Sequence, residues 1–263
     1  MAGILVAAAL AAASPAVSPA GPTVEEASPA IFVVRDADTT IYLFGTFHAL
    51  DGKSAWFNQR VRRAFEQSDE LVLETLVPEA PPRGLPAPQP MPSLSVTSSA
   101  SFLATTRMAI NAGRSHGLQV GNGADMVLRR VAEAEGKPVE GLETLQSQLN
   151  MFTHMPATPA AAPRRVDAPA MDSLSKSMVE MQDAWKQGDQ AVFVRMLGDL
   201  ERSSPSTYRV LFTERNARWA DWIRARMQTP GTVFVAVGAG HLAGKDSVLV
   251  RLAQLGIRSS RVY

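Results

Sequence analysis

The stretch TVFVAVGAGHLAGKDSVLVRLAQLGIRSSRVY, residues 232–263, decides the fold. Its β-prone run, 232–237, ends in Gly238-Ala239-Gly240-His241. A helix follows, with Asp246 or Ser247 as N-cap and Val248, Leu249, Leu252 and Leu255 on one face. Gly256 is a natural helix stop, and residues 257–262 read as a last strand. The order is strand, Gly-x-x-His turn, helix, strand, which is the grammar of an α/β protein. An earlier segment, Ile41-Tyr42-Leu43-Phe44-Gly45-Thr46-Phe47-His48, also runs from a strand into Gly-x-x-His. The chain has four histidines and places two of them this way.

Working outward, residues 30–34 and 40–45 are short β-prone runs joined by Asp36-Ala37-Asp38, which predicts a hairpin. Residues 56–66 have helical spacing. Residues 70–73 form a short strand leading into Glu74. Asp125 is a good N-cap for a helix through Glu135, ended by Gly136 and Pro138. Residues 139–142 give a strand leading to Glu143, and 144–152 read as helix. Residues 171–186, 189–200 and 205–227 predict three amphipathic helices, which form a cap or lid. Two Pro-rich stretches, 77–101 and 156–169, read as loop inserts.

Length and composition set limits. The 263 residues can bury a large core, and the reading is one domain from residue 21 onward. The net charge of +1 gives no case for nucleic-acid binding. Without cysteine there are no disulfides, thiolate metal sites or cysteine nucleophile. An apolar run at 4–13, followed by small residues to Ala20, predicts a secretory signal over residues 1–20, though no Lys or Arg precedes it. Export to a periplasmic or extracellular space is the expectation. No later segment is long and apolar enough to span a bilayer.

Four polar residues then fall at the carboxyl ends of strands: His48, Glu74, Glu143 and His241. Ligand crevices of open α/β sheets form at those ends. Two imidazoles and two carboxylates suit a divalent transition metal, which would acidify a bound water or polarise a carbonyl. One carboxylate could be a ligand and the other a general base, or an orienter of a histidine. Gly45, Gly238 and Gly240 would supply positive φ or close approach. Arg215 shares a helix face with Trp219 and Trp222, and if buried it needs a carboxylate partner. A lone Gly-x-x-His is a weak pattern, and Glu74 or Glu143 alone reads equally as a solvent-facing or capping residue. His116 and His154 read as surface residues.

These pieces, taken in order, resemble the TraB/PrgY/GumN family, to which the Tiki proteins are related. The matching segments are residues 42–48, Leu71-Val72-Leu73-Glu74, Gly136-Lys137-Pro138-Val139 with Gly141-Leu142-Glu143-Thr144, Glu214-Arg215-Asn216 with Trp219, and residues 237–242 with Gly244. The resemblance implies a central mixed sheet flanked by helices. It also implies a metal-dependent hydrolase, peptidase-like, acting on a peptide or similar small substrate. His48, Glu74 and His241 would then be ligands to Mn, Co or Zn. Glu143 would be base or orienter, and Arg215 and Asn216 would bind substrate or brace the acidic residues. Two other readings stay open: a non-enzymatic protein that binds peptide, haem or metal, and a role in surface-polysaccharide chemistry, which paired carboxylates could serve.

Overall fold

The computed structural model describes residues 26–76, 111–153 and 168–262. The expected signal segment, nearly all of the Pro-rich inserts and His154 lie outside the described residues. Residues 168 and 169, expected to be loop, begin a helix instead.

Six strands form one mixed sheet. They are β1 (Ile31–Arg35), β2 (Thr39–Thr46), β3 (Glu70–Thr75), β4 (Val139–Glu143), β5 (Gly231–Gly238) and β6 (Ser259–Arg261). Their order across the sheet is β4-β3-β5-β2-β1-β6. Neighbours β4, β3, β5 and β2 pair in parallel, while β1 is antiparallel to both β2 and β6. The β1–β2 hairpin forms as expected, its turn closed by Asp36 Oδ1, which accepts from the Thr39 amide at 2.9 Å.

The terminal run is β-branched and apolar because β5 is the sheet's central strand, buried on both faces. Side chains alternate along it. Phe234 and Ala236 enter a core with Phe44, Phe65, Leu71, Trp56 and Trp185. Val233, Val235 and Val237 enter a second core with Ile41, Leu43, Trp219, Ile223 and Leu252. Each fully buried Phe or Val contributes about 1.5–3 kcal/mol of hydrophobic transfer energy, so this strand clamps the two layers together.

The helices are α1 (Gln59–Glu66), α2 (Ala124–Ala134), α3 (Leu145–Thr153), α4 (Ala168–Lys186), α5 (Ala191–Ser203), α6 (Pro205–Tyr208), α7 (Glu214–Arg226) and α8 (Val248–Gln254). Helix α1 starts later than expected because Asn58 caps it, accepting from the Arg60 and Val61 amides. Ser247 caps α8, and Gly256, at φ +78°, ends it as expected. The helix expected over 205–227 is interrupted. Residues Arg209–Thr213 form a π-helical turn between α6 and α7, with the Glu214 amide reaching back to the Arg209 carbonyl.

Two expectations need correction. Asp125 is not an N-cap: Gly123 holds that position without a side-chain bond, and Asp125 lies in the first turn of α2. A Cβ on Gly123 would stand 2.4 Å from the His48 carbonyl oxygen, so the chain can cross there only as glycine. Gly45, Gly238 and Gly240 do not adopt positive φ; they are small because other atoms come close. A Cβ on Gly45 would meet the Ala239 Cα at 3.1 Å, and one on Gly240 would meet the Phe212 ring at 3.2 Å.

Candidate functional site

The parallel strands deliver the candidate residues to one edge. β2 pairs with β5 in register, Gly45 against Val237 and Thr46 against Gly238, so the two Gly-x-x-His turns leave the sheet side by side. His48 lies two residues past β2. His241 sits in a 3₁₀ turn, Ala239–Leu242, directly after β5. Glu74 lies within β3 rather than just past it, because pairing continues to Thr75 opposite Glu143. From the neighbours β3 and β5 the chain leaves in opposite directions, toward β4 and toward β6, which is where open α/β sheets form their crevice.

Arg215 is the hub. It is 5% exposed, and its Nε donates to Glu143 Oε1 at 3.0 Å while Nη2 donates to Glu143 Oε2 at 2.9 Å. The same Nη2 also bonds Glu74 Oε1, and Nη1 lies 3.3 Å from His241 Nε2. The planar fork is what lets one side chain serve three partners. Its guanidinium stacks over Trp219 at 4.6 Å. Burial opposes the Arg215 charge, but Glu74 and Glu143 outweigh it and raise its pKa further. Glu143 also accepts from the exposed Arg218 at 3.3 Å, so its carboxylate is engaged on both oxygens.

Burial pushes Glu74 upward, yet the Arg215 charge, then His241 and His48, bring it down to about 2. Its second oxygen, Oε2, accepts from the Gly238 amide at 3.3 Å and lies 3.9 Å from His241 Nε2.

His241 is packed between Trp219, at 4.4 Å between ring centres, and Phe212, at 4.8 Å. Asn216 fixes its tautomer. The Asn216 amide nitrogen donates to the Asp246 carbonyl at 2.8 Å, so its oxygen faces His241 Nδ1 at 2.6 Å. Nδ1 therefore carries the proton, and Nε2 keeps a lone pair. Burial lowers the His241 pKa to about 3; the Glu74 charge opposes this, while Arg215 and His48 add to it. The ring is neutral at physiological pH.

His48 is the opposite case. Its side chain is 58% exposed, and Nδ1 lies 3.2 Å from Asp125 Oδ1. The approach is poorly aligned for a hydrogen bond, so the buried Oδ1 has a charge partner rather than a donor. Crowding of protein atoms around the ring works against protonation, but Asp125 and then Glu74 raise the pKa to about 9. Exposure to solvent weakens the effect, and the upward direction stands. No local pattern links this carboxylate to its partner, since Asp125 and His48 lie in separate elements.

Gly238 is where these groups meet. A Cβ there would stand 3.3 Å from His48 Nε2, 3.6 Å from Glu74 Oε2 and 3.6 Å from the His241 ring. The donors suit a divalent transition metal in kind: two imidazole Nε2 atoms, that of His241 with Asn216 Oδ1 bonded on its Nδ1 side, and one carboxylate oxygen. In position they stand apart. Among the described residues no group of three or more His, Asp or Glu side chains is gathered closely enough to hold an ion. Arg215 Nη1 also faces the His241 lone pair.

The TraB/PrgY/gumN family model matches residues 30–98 and 89–261, which is most of the sequence and includes every site residue above. The chain belongs to the TraB/PrgY/gumN family. This family member is 26% identical over 254 residues to YbaP of Escherichia coli strain K12, described as uncharacterized, across 84% of this chain and 90% of that protein. The Shigella flexneri YbaP matches with the same identity and coverage. No solved structure matches the chain. Among the described residues, no helix of this TraB/PrgY/gumN protein is long and apolar enough to cross a membrane.

Proposed function

We propose that this family member is an exported metal-dependent hydrolase of peptide or similar amide bonds, with His48, Glu74 and His241 holding the metal. The observation that carries the reading is the convergence of His48 Nε2, Glu74 Oε2 and the His241 ring on the side-chain-free Gly238. A divalent transition metal bound there would supply an acidified water or a polarised carbonyl. The chain's own contribution is orientation and charge. Asn216 holds His241 in the tautomer that presents Nε2, and Asp125 sits on the far side of the His48 ring. Arg215 keeps Glu74 ionised and grips Glu143 through two guanidinium nitrogens, and Glu143 acts through Arg215 rather than on substrate. A metal would have to displace the proton on His48, so uptake should strengthen as pH rises.

The test is metal content and amide hydrolysis, measured side by side for wild type, His241→Ala and Glu74→Gln. The reading requires one bound divalent ion per chain and a rate that falls by at least about a hundredfold in either variant. Wild type that takes up no metal, or variants as active as wild type, would refute it.

A second reading is a binding protein without turnover. It is favoured by one observation, the Arg215 Nη1 at 3.3 Å from His241 Nε2, which stands in the way of an ion. The polysaccharide reading is weaker. Glycoside hydrolysis needs a carboxylic acid that stays protonated, and Glu74 is held ionised by Arg215.

A further inference from the structure

A cavity of about 430 Å³ opens from His48, Glu74 and His241. Its far walls are Met178 and Met181 from α4, Phe193 and Met196 from α5, and Phe212 from the π-helical turn. The only ionisable side chains lining it, among the described residues, are His48, Glu74 and His241 at one end. Phe193 is buried, while the three methionines and Phe212 are half-buried, leaving apolar surface turned toward the opening. The volume falls within the range of small-molecule and side-chain pockets, about 300–1,000 Å³.

We infer that this cavity is the specificity pocket of the site and takes a bulky apolar side chain of a peptide, next to the bond held at His48, Glu74 and His241. The inference rests on the hydrolase reading above for the identity of the ligand as a peptide. The polarity gradient sets the orientation of the ligand. The peptide's amide stays at the polar end, and its side chain enters the methionine end, where the lining side chains among the described residues are apolar. Leu, Met and Phe should be accepted, because unbranched methionines with three rotatable bonds adapt to different apolar shapes. Asp and Glu should be rejected, because a carboxylate there would be buried without a partner. Phe212 links the two ends, with one face against His241 and its edge over Gly240. A filled pocket would therefore press on the same ring that packs His241.

The test reads binding apart from turnover. Label the methionine methyls with carbon-13, assign Met178, Met181 and Met196 by single Leu substitutions, and titrate with N-acetyl-phenylalanine methylamide and N-acetyl-aspartate methylamide. The three methyls should move with the phenylalanine compound at no more than one-tenth the concentration needed with aspartate. Response to both compounds at equal concentration, or movement only of other methionines, would overturn the pocket. In a peptide assay, Met196→Trp should raise KM for a Phe-containing substrate at least tenfold with little change in kcat; an unchanged KM counts against the pocket. Met181→Glu gives a second variant should the first fail to fold, with the same expected loss. Methyl shifts without any hydrolysis would sustain the pocket and sink the hydrolase. Hydrolysis indifferent to the side chain would do the reverse.

Discussion

The two Gly-x-x-His turns share their spacing and leave adjacent parallel strands one residue out of step, yet they hold their histidines in opposite states. His48 is 58% exposed beside Asp125, with its pKa raised to about 9. His241 is 6% exposed between two aromatic rings and beside Arg215, with its pKa lowered to about 3. The local pattern places an imidazole at a strand end. The charge it carries is decided by neighbours far away in sequence. Protonation is thus favoured on one imidazole and opposed on the other, and both stand about the same glycine with Glu74 nearby.

The largest effect is expected at Arg215, which lies beside His241. Arg215→Met leaves Glu74 and Glu143 without their common partner, and breaking a buried pair in this way costs about 3–5 kcal/mol. Chemical denaturation should show that loss, and a stability within about 1 kcal/mol of wild type would mean that water reaches the carboxylates.

Gly238→Ala comes next and should act on function rather than folding. The residue has φ −50° and ψ 135°, which alanine adopts freely. Its methyl would crowd His48 Nε2, at 3.3 Å, and fill the space that His48 shares with Glu74 and His241, each at 3.6 Å. A displacement of about 1 Å can cost on the order of a hundredfold in function. Calorimetric metal titration should therefore show affinity about a hundredfold weaker, with the melting temperature little changed.

Asn216→Asp would make the two histidines alike. It places a carboxylate on His241 Nδ1, so the pKa should climb from about 3 toward that of His48, read by NMR titration of the ring. Disturbing such an orienting partner typically costs about 10–100-fold in metal affinity or activity. A pKa that stays put would show that burial alone sets the state of this ring.

The smallest effect is expected from Asp125→Asn, which should bring the His48 pKa down toward 6.5. The sign for stability follows from linkage. A folded pKa above the unfolded one stabilises the fold most below about pH 6.5, and this contribution disappears as pH rises through about 9. Wild type and variant should therefore differ in melting temperature at pH 6 and converge above pH 9. Because His48 is exposed, the difference should be small.

Much of this frame is legible in the residues themselves. The β5 run, the β1–β2 hairpin, a cap at Asp246 or Ser247, the stop at Gly256, and the arrival of His48, Glu74, Glu143 and His241 at or near strand ends follow from local periodicity and turn chemistry. The need of a buried Arg215 for a carboxylate was legible too, though not which one. Three features were hidden for physical reasons. Asp125 looks like a cap because Asp before an apolar run usually is one; its role depends on Gly123 passing over His48. The π-helical turn at Arg209–Thr213 leaves the apolar spacing of the segment nearly unchanged. The methionine cavity joins α4 and α5 to strand ends distant from them in sequence, and methionines at helical spacing read simply as core.

The placement of β5 also constrains how the molecule can be made. β2 and β3 are formed from residues 39–75, but they are not neighbours: β5, residues 231–238, lies between them. Until that strand arrives, neither edge has its permanent partner, and both offer open hydrogen-bonding rows to any other chain. Sheet assembly must wait for residues 231–238, which makes it slow by the measure of loop closure and exposed to aggregation. Conversely, a chain cut before residue 231 loses its central strand and cannot keep a reduced version of the sheet. The site thus comes into being at a single late step, with the insertion of one strand that carries His241 at its tip.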